Sequence, residues 1–314
     1  MSGAASSESG DISLFPVRKK KRTPGIPLSR AERRIERANR LSLLLLLLSL
    51  GAVYCINALR LTGTLTPTME LIDGHAAVRF VDVGQGDCTL VVHGGHAVLI
   101  DAGSAWCDDA TAEYIRTYAP SVDAFFVTHP HEDHMGGAEA VLRACRVDAL
   151  YLPDAVSHET FYDRTLETAG RRRTEVVRVT EGGEYLFGDI RVELFDTLDY
   201  PYEDMNDASL LLRVSVDGLS VFVGGDAERG LEGYAVSRGF DLGAQIYQVN
   251  HHGSSSSTTE AFLDRISPSA AVISCGRNNP FGHPAQTVLD RLEDRGIEVR
   301  RTDKEGTVVI RGKS

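Results

Sequence analysis

Residues 128–137 read THPHEDHMGG and place three of the chain's ten histidines and two carboxylates within six consecutive positions. The stretch follows the apolar run AFFVT, which predicts a buried strand that ends where the histidines begin. His129 and His131 are two residues apart, so in an extended loop both side chains can bind one metal ion. The side chains of the adjacent residues Asp133 and His134 would point in a different direction from these two. This two-plus-two arrangement predicts two metal ions a few Å apart.

Further candidate ligands occur where later apolar runs end. Asp226 follows the run VFVGG, and a carboxylate in that place could bridge two ions. His251 and His252 follow IYQVN, and His283 lies in the glycine-flanked loop NNPFGHP. A single Asp or His at a strand end is usually a turn or cap residue. Three such sites after a dense histidine motif favour metal ligands instead.

Short apolar runs separated by turn residues extend along most of the chain. The runs AVRFVDV, CTLVVH and AVLID predict three successive strands, and ATAEYIRTYA and GGAEAVLRAC predict helices on either side of AFFVT. A second series predicts the strands EYLF, IRVELF, SLLLRVSV, LSVFVGG, QIYQV, AAVISC, IEVRRT and TVVIR. The two series predict an α/β protein with two sheets flanked by helices and with functional loops at the strand ends.

The motif HxHxDH, with LIDAG before it and GGD and HHGS after it, resembles the metallo-β-lactamase-fold hydrolase superfamily. Collinear segments such as FVDVGQGDCTLVV, NDASLLLRV and VNHHGSSSSTTEAFL narrow the resemblance to the ComEC-type metallo-hydrolase domain of competence proteins, which take up DNA. The resemblance covers about residues 76–311. It implies an αββα sandwich with two divalent metal ions at one edge of the paired sheets.

The resemblance also implies a role for each candidate residue. It divides the ligands into His129 and His131 for the first metal, Asp133 and His134 for the second, and Asp226 between them. One residue of the pair His251 and His252 would bind the second metal. We expect His251, which is nearer the strand end, with His252 behind it or facing substrate. Asp101 in LIDAG and Asp87 in GQGD would hold the ligands from behind.

One position departs from the wider superfamily. Many members supply a third histidine to the first metal, whereas the corresponding region here reads MNDASLLL. Asn206 either takes that place or leaves the site open. Because an amide carbonyl is a harder and weaker ligand than imidazole, the first site is expected to accept manganese as readily as zinc.

Four segments differ in composition. Residues 1–40 are rich in Ser, Gly, Pro, Lys and Arg, which predicts a disordered basic tail. Residues 41–60 predict a transmembrane signal anchor, since the 19 uncharged residues LSLLLLLLSLGAVYCINAL would extend about 28 Å as a helix. A cleaved signal peptide or a buried helix fits less well, because the preceding region is long and the leucine run has no polar face. Residues 61–75 then form a linker and 76–314 the hydrolase domain.

Charge is distributed unevenly along the chain. Residues 1–40 contain 10 Lys and Arg against 4 Asp and Glu, whereas residues 41–314 contain 23 against 40. The positive-inside rule then predicts a cytoplasmic N-terminus and an extracytoplasmic hydrolase domain in the cell membrane. The acidic remainder argues against broad electrostatic capture of nucleic acid. A local patch at Arg171–Arg173 and Arg178, or the metal ions, could still hold a phosphate.

The five cysteines show no CxxC spacing and predict neither a disulfide framework nor a thiolate metal site. They are Cys55, Cys88, Cys107, Cys145 and Cys275. Cys55 lies in the predicted anchor. We interpret the other four as small apolar residues of the core.

A pair of metal ions activates water near neutral pH, which predicts a hydrolase. The resemblance favours phosphodiesters such as DNA, with Ser254 and His283 contacting the phosphate and His283 protonating the leaving oxygen. The same ions can promote attack on a carbonyl, so a lactone, lactam or thioester hydrolase is an alternative. A non-catalytic, metal-containing binding module of a DNA-uptake complex, with a separate channel protein as partner, is another.

Overall fold

The computed structural model describes residues 75–312 of the chain. The predicted tail (1–40), the predicted anchor (41–60) and all but the last residue of the predicted linker (61–75) lie outside the described residues. Those three assignments stay predictions. Within the described range, none of the helices has both the length and the apolar character needed to cross a lipid bilayer.

The described residues form strands and helices that alternate along the chain. The strands are β1 (Ala77–Phe80), β2 (Thr89–His93), β3 (His96–Ile100), β4 (Ser121–Phe126), β5 (Arg146–Leu152), β6 (Glu175–Arg178), β7 (Gly183–Phe187), β8 (Ile190–Leu194), β9 (Leu212–Val216), β10 (Leu219–Val223), β11 (Ile246–Gln248), β12 (Ala270–Ile273), β13 (Glu298–Arg301) and β14 (Val308–Arg311). The helices are α1 (Asp108–Tyr118), α2 (Glu132–Met135), α3 (Ala138–Ala144), α4 (Thr160–Arg172), α5 (Arg229–Ser237), α6 (Glu260–Ile266), α7 (Gln286–Glu293) and α8 (Thr302–Glu305). Two single turns of 3-10 helix lie at Met205–Ala208 and Asn250–Gly253.

The strands form two mixed sheets. The first has the order β14-β1-β2-β3-β4-β5-β6, with parallel pairing from β3 to β6 and antiparallel pairing elsewhere. The second has the order β13-β12-β11-β10-β9-β8-β7, with parallel pairing from β10 to β13. Parallel strands covered on both faces are expected to be continuously apolar. The buried end of β4, Ala124–Phe126, shows this pattern.

Three apolar clusters show how the layers are stacked. One cluster joins the first sheet to α1, α3 and α4, and includes Phe125 and Leu142. The central cluster lies between the sheets and includes Phe126 and Val223. A third joins the second sheet to α5, α6 and α7, and includes Phe262. The predicted αββα sandwich is therefore confirmed.

Parallel pairing brings the functional loops to one edge of the sandwich. The carboxyl ends of β3 and β4 lie side by side in the first sheet, and those of β10, β11 and β12 lie side by side in the second. The amide N–H of Leu210 donates to the carbonyl oxygen of Thr128 at 2.9 Å and joins the sheets at this edge. The crevice outside the carboxyl ends of parallel strands is the usual place for a site in α/β proteins.

The sequence analysis did not predict β5, β6 or α4. In β5 buried and exposed residues alternate over its first half, and charged residues occupy the exposed positions, so the run RVDALYL is less apolar than its neighbours. β6 is an edge strand with exposed Glu175 and Val176. Charged residues protect edge strands from unwanted pairing, and they also obscure the strand pattern in the sequence.

Candidate metal centre

The histidine loop begins immediately after β4 and is held by Asp101, which follows β3. The Asp101 carboxylate accepts hydrogen bonds from the Thr128 amide at 2.8 Å and from Thr128 Oγ1 at 2.7 Å. Its Oδ2 atom also lies 2.9 Å from Nδ1 of His134. Because Nδ1 of His134 faces Asp101, its Nε2 is left to face the centre. Asp101 therefore contacts the histidine loop on the side of His134 that faces away from Nε2.

Potential metal ligands form two groups that share one carboxylate. The first group consists of His129, His131 and Asp226, and the second group consists of Asp133, His134, Asp226 and His252. In the first group, Nε2 of His129 lies 3.0 Å from Nδ1 of His131. In the second, Nε2 of His252 lies 3.2 Å from Oδ2 of Asp133. The structure thus brings together residues from three strand ends, as the sequence predicts.

Asp226 faces the two groups with different oxygens. Its Oδ1 lies 3.0 Å from Nε2 of His134 and 3.5 Å from Nε2 of His252. Its Oδ2 lies 3.9 Å from Nε2 of His129 and 3.6 Å from Nε2 of His251. Ligand atoms about 2.1 Å from one tetrahedral ion are separated by about 3.4 Å. The spacing therefore suits a carboxylate between two ions, which is the predicted position of Asp226.

His252 takes the place in the second group that was expected for His251. His252, which was expected behind the ligand or facing substrate, belongs to the second group, whereas His251 does not. Both residues have left-handed backbone conformations, with φ of 52° and 53°, and the chain turns sharply before Gly253. The turn places Nδ1 of His252 3.0 Å from the carbonyl oxygen of Ser274. Nε2 of His252 is thereby directed to Asp133, and His251 lies on the side of the first group.

Glu228 is a site residue that the sequence analysis missed. Its Oε1 lies 3.1 Å from Nδ1 of His251 and accepts a hydrogen bond from Ser256 Oγ at 2.8 Å. The side-chain Nδ2 of Asn206 also donates to this oxygen at 3.4 Å. The side chain of Asn206 therefore contacts Glu228, which itself contacts His251, and its place as a ligand of the first metal stays a prediction. The available signal was the position of Glu228 two residues after Asp226.

Asp87 lies behind His252. Its Oδ1 is 3.4 Å from Nδ1 of His252, and its amide donates to the carbonyl oxygen of Asp133 at 3.1 Å. Asp87, Asp101 and His134 also form a third compact grouping of potential ligands. In that grouping Nδ1 of His134 already contacts Asp101. We therefore interpret Asp87 and Asp101 as residues that support the second group, and not as ligands of a third metal ion.

His283 and Ser254 differ in how they face the centre. The half-buried ring of His283 lies with its centroid 5.7 Å from that of His251, at the rim of the centre. Ser254 is largely buried, and its hydroxyl lies 2.8 Å from Oγ of Ser256. The His283 ring is therefore partly open to solvent at the rim, whereas the Ser254 hydroxyl contacts a residue of its own loop.

The arginines predicted as a phosphate patch do not lie at the centre. Arg171–Arg173 are at the carboxyl end of α4, before the amino end of β6, and thus at the opposite edge of the first sheet. Arg171 forms an ion pair with Glu167 at 3.2 Å. Arg178 is at the carboxyl end of β6, on the same edge as the ligand groups, and its guanidinium donates to the carbonyl oxygen of Pro153 at 3.1 Å.

The sequence model of the metallo-beta-lactamase superfamily matches residues 81–277, which is more than half of the chain. The chain belongs to this superfamily. It is 29% identical over 266 residues to ComE operon protein 3 of Bacillus subtilis, covering 77% of this chain and 34% of that protein. It is 30% identical over 236 residues to Recombination protein 2 of Haemophilus influenzae, covering 73% and 28%. The chain thus spans about a third of the length of these curated relatives.

Solved structures support the same fold. CmlA, a diiron β-hydroxylase from Streptomyces venezuelae, superposes with a TM-score of 0.53 at 13% sequence identity, covering 76% of this chain and 55% of that one. The protein is therefore a metal-dependent hydrolase-like member of the metallo-β-lactamase superfamily, related to competence proteins. The predicted resemblance is confirmed.

Burial and the charges of neighbouring side chains shift the pKa values of the residues in the two ligand groups. Burial lowers the pKa of His129 well below its usual value, and the charge of His134 adds to the effect. Burial would also lower the pKa of His134, but Asp226 and Asp101 raise it well above its usual range. Burial would raise the pKa of Asp226, whereas His134 and His252 hold it well below. Protonated histidines thus supply positive charge that a bound cation would replace.

The residues fit the metal ions that the superfamily implies. Nε2 of His134 and Oδ1 of Asp226 are buried and face each other as an ion pair at 3.0 Å, but neither atom has the geometry of a hydrogen bond with any described residue. Buried polar atoms that lack a hydrogen bond commonly have an ion or another ligand as their partner. Imidazole and carboxylate ligands suit zinc and manganese alike. The fold and the two groups therefore support divalent metal ions, two in number, as the cofactor.

Proposed function

We propose that this chain hydrolyses phosphodiester bonds of nucleic acid with two divalent metal ions, zinc or manganese. The observation that carries the proposal is Asp226, whose two oxygens face two groups of ligands at the carboxyl ends of the strands. The relatives named as competence and recombination proteins support nucleic acid as the substrate class. Two divalent ions would activate water and offset the negative charge that develops on the phosphoryl oxygens.

The remaining residues position the ligands and the substrate. Asp101 and Asp87 hold His134 and His252 from behind, so that both Nε2 atoms converge on Asp226. Burial and the charges of His252 and His251 lower the pKa of His283. A neutral His283 near neutral pH is a weak source of protons. We therefore assign it a hydrogen bond to a phosphoryl oxygen in place of the proton donation predicted from the sequence.

We propose for His251 a place in the first group. Its Nε2 lies 3.6 Å from the same Asp226 oxygen that His129 approaches at 3.9 Å, and Glu228 contacts its other nitrogen. A carboxylate on the far nitrogen of a histidine is a common feature of metal sites, because it fixes the ring and raises its basicity. His251 would then supply the third imidazole that the sequence around Asn206 lacks.

The cellular setting is part of the proposal. A single anchor at residues 41–60 would hold the hydrolase domain outside the cytoplasm, with the N-terminus inside. A separate channel protein would then be the partner that carries DNA across the membrane. Protease treatment of intact spheroplasts tests the orientation, since a C-terminal tag that resists external protease would contradict it.

The activity is tested with the full-length protein in detergent. With added manganese or zinc it should cleave labelled single-stranded DNA and bis(p-nitrophenyl) phosphate. Asp133→Ala and His134→Ala should remove the activity, whereas His158→Ala, which changes an exposed histidine outside both groups, should retain it. Cleavage no faster than that of the Asp133→Ala variant would exclude a phosphodiesterase. The same screen includes lactones, β-lactams and thioesters, whose turnover would identify a carbonyl hydrolase, whereas metal and DNA binding without turnover would identify a binding module.

A further inference from the structure

Exposed aromatic side chains of the described residues lie in loops at one edge of the molecule. Among the large hydrophobic side chains that are exposed there, the aromatic ones are Trp106, Tyr202 and Phe281, with exposed fractions of 93%, 42% and 65%. Trp106 follows β3, Tyr202 lies between β8 and β9, and Phe281 follows β12. These strand ends all lie at the edge of the metal centre. Single exposed apolar residues need no explanation, but several exposed aromatic rings at one edge favour contact with a bound molecule, and the two most exposed are Trp106 and Phe281.

Phe281 continues a line of rings that starts at the metal centre. Its ring and that of His283 are 5.7 Å apart between centroids and inclined by only 15°. The His283 ring lies in turn 5.7 Å from that of His251. Asn279 fixes this loop, since its side chain donates to the carbonyl oxygen of His283 at 2.7 Å and accepts from the amide of the same residue at 3.0 Å. Phe281 is thus held outward beside the rim.

Trp106 is held at the rim by the histidine loop. Oε1 of Glu132, between the two ligand pairs of that loop, accepts hydrogen bonds from Ser104 Oγ at 2.8 Å and from the Ala105 amide at 2.9 Å. The Trp106 amide donates to Ser104 Oγ at 3.2 Å. The backbone is therefore anchored, while the indole ring remains in solvent.

One turn separates the loops of Trp106 and Phe281. The turn is GQGD at residues 84–87. On one side the amide of Gly103 donates to the carbonyl oxygen of Asp87 at 2.8 Å. On the other side the amide of Gly276 donates to Oε1 of Gln85 at 3.1 Å. The two aromatic loops therefore flank the same turn, which also contacts the ligand Asp133 through its backbone.

We infer that Trp106 and Phe281 are stacking surfaces for unpaired nucleobases of a single-stranded nucleic acid whose backbone enters the metal centre. The inference rests on the proposed function and specifies its substrate. Residues 41–314 contain 23 Lys and Arg against 40 Asp and Glu, so attraction of phosphates supplies little affinity. Base stacking on aromatic rings supplies affinity without positive charge. Bases in a duplex have both faces covered by their neighbours, so a single strand is the form that these rings can bind.

The chain contains one tryptophan, so its tryptophan fluorescence reports on Trp106 alone. The full-length protein in detergent, with EDTA present to prevent cleavage, is titrated with oligo(dT), with an abasic strand of equal length, and with a duplex. Oligo(dT) should quench the fluorescence, whereas the abasic strand and the duplex should not. Anisotropy of a labelled oligo(dT) strand gives the dissociation constant independently of the tryptophan.

Variants separate stacking from other effects. Trp106→Ala and Phe281→Ala should each weaken oligo(dT) binding by about 5- to 150-fold, and Trp106→Phe should restore most of the affinity. Leu186→Ala changes an exposed apolar residue of β7, 63% exposed, and should bind as the unchanged protein does. Because phosphate contacts contribute little, the affinity should fall only weakly as salt is raised.

Equal affinity for oligo(dT) and the abasic strand, or unchanged binding by both alanine variants, would overturn the inference. A blue shift of the Trp106 emission with lipid vesicles, without quenching by oligo(dT), would also overturn it and assign the ring to a membrane surface. Bis(p-nitrophenyl) phosphate hydrolysis by the unchanged protein is measured separately. Its absence would remove the proposed function, whereas the binding data still decide whether bases stack.

Discussion

The Nδ1 atom of His251 lies 3.1 Å from the Oε1 atom of Glu228. If His251 serves the first group, replacing Glu228 by Gln should weaken binding of one of the two metal ions by about 10- to 100-fold, because the imidazole loses its charged partner. Competition with a fluorescent chelator measures both affinities. Glu175→Gln, which changes an exposed carboxylate of β6, is the matched control. Two unchanged affinities in Glu228→Gln would remove His251 from the metal site.

Replacement of His251 and replacement of His252 should lower the metal content by different amounts. His252→Ala removes a member of the second group, which shares Asp226 with the first, so we expect it to lose the second ion and part of the first and to retain less than half of the metal of the unchanged protein after dialysis. His251→Ala leaves that group complete and should lose only the more weakly held ion. Mass spectrometry of the metals per chain distinguishes these outcomes. A greater loss in His251→Ala than in His252→Ala would support the assignment made from the sequence.

The main features of the fold and of the ligand set follow from local sequence. Ligand-rich motifs after apolar runs place His129, His134 and Asp226 at strand ends, and parallel pairing brings strand ends together. These features depend only on the direction of each strand. The sequence therefore predicts which loops meet, and the structure has them at one edge of the sandwich.

The local sequence does not show which of His251 and His252 belongs to the second group. Adjacent residues exchange places when the backbone changes conformation, and here both have positive φ, which is uncommon for residues other than glycine. Asn206 and Glu228 show a related limit. Their contact joins loops 22 residues apart, and no local pattern in the sequence indicates that the side-chain amide and the carboxylate would meet.

Asp101 should be important for stability as well as for the ligands. It is fully buried, and its carboxylate accepts two hydrogen bonds from Thr128 besides contacting His134. An amide in its place would direct N–H groups at other donors, so Asp101→Asn should lower the free energy of unfolding by about 2–4 kcal/mol. Urea unfolding followed by circular dichroism, with metal removed, measures this loss. Asp294→Asn on the surface should change it by less than about 0.5 kcal/mol, and an equally small change in Asp101→Asn would contradict the prediction.

The cysteines of the described range should differ in reactivity. Burial raises the pKa of Cys145 to about 12, that of Cys275 to about 11, and that of Cys88 well above its usual value. The thiolate is the reactive form of cysteine, and a thiol contains very little of it when the pH lies well below its pKa. At pH 8 and at pH 9, iodoacetamide should therefore label Cys107, which is partly exposed, long before these three.

Peptide mass spectrometry resolves the labelling of each cysteine. In guanidinium chloride the same peptides should all be labelled, because unfolding removes the burial that raises the pKa values. The contrast between folded and unfolded protein is what tests the assignment of these thiols to the core. If Cys88 in the folded protein were labelled as fast as Cys107, the packing between β2 and the neighbouring loops would have to be open to solvent, which its complete burial contradicts.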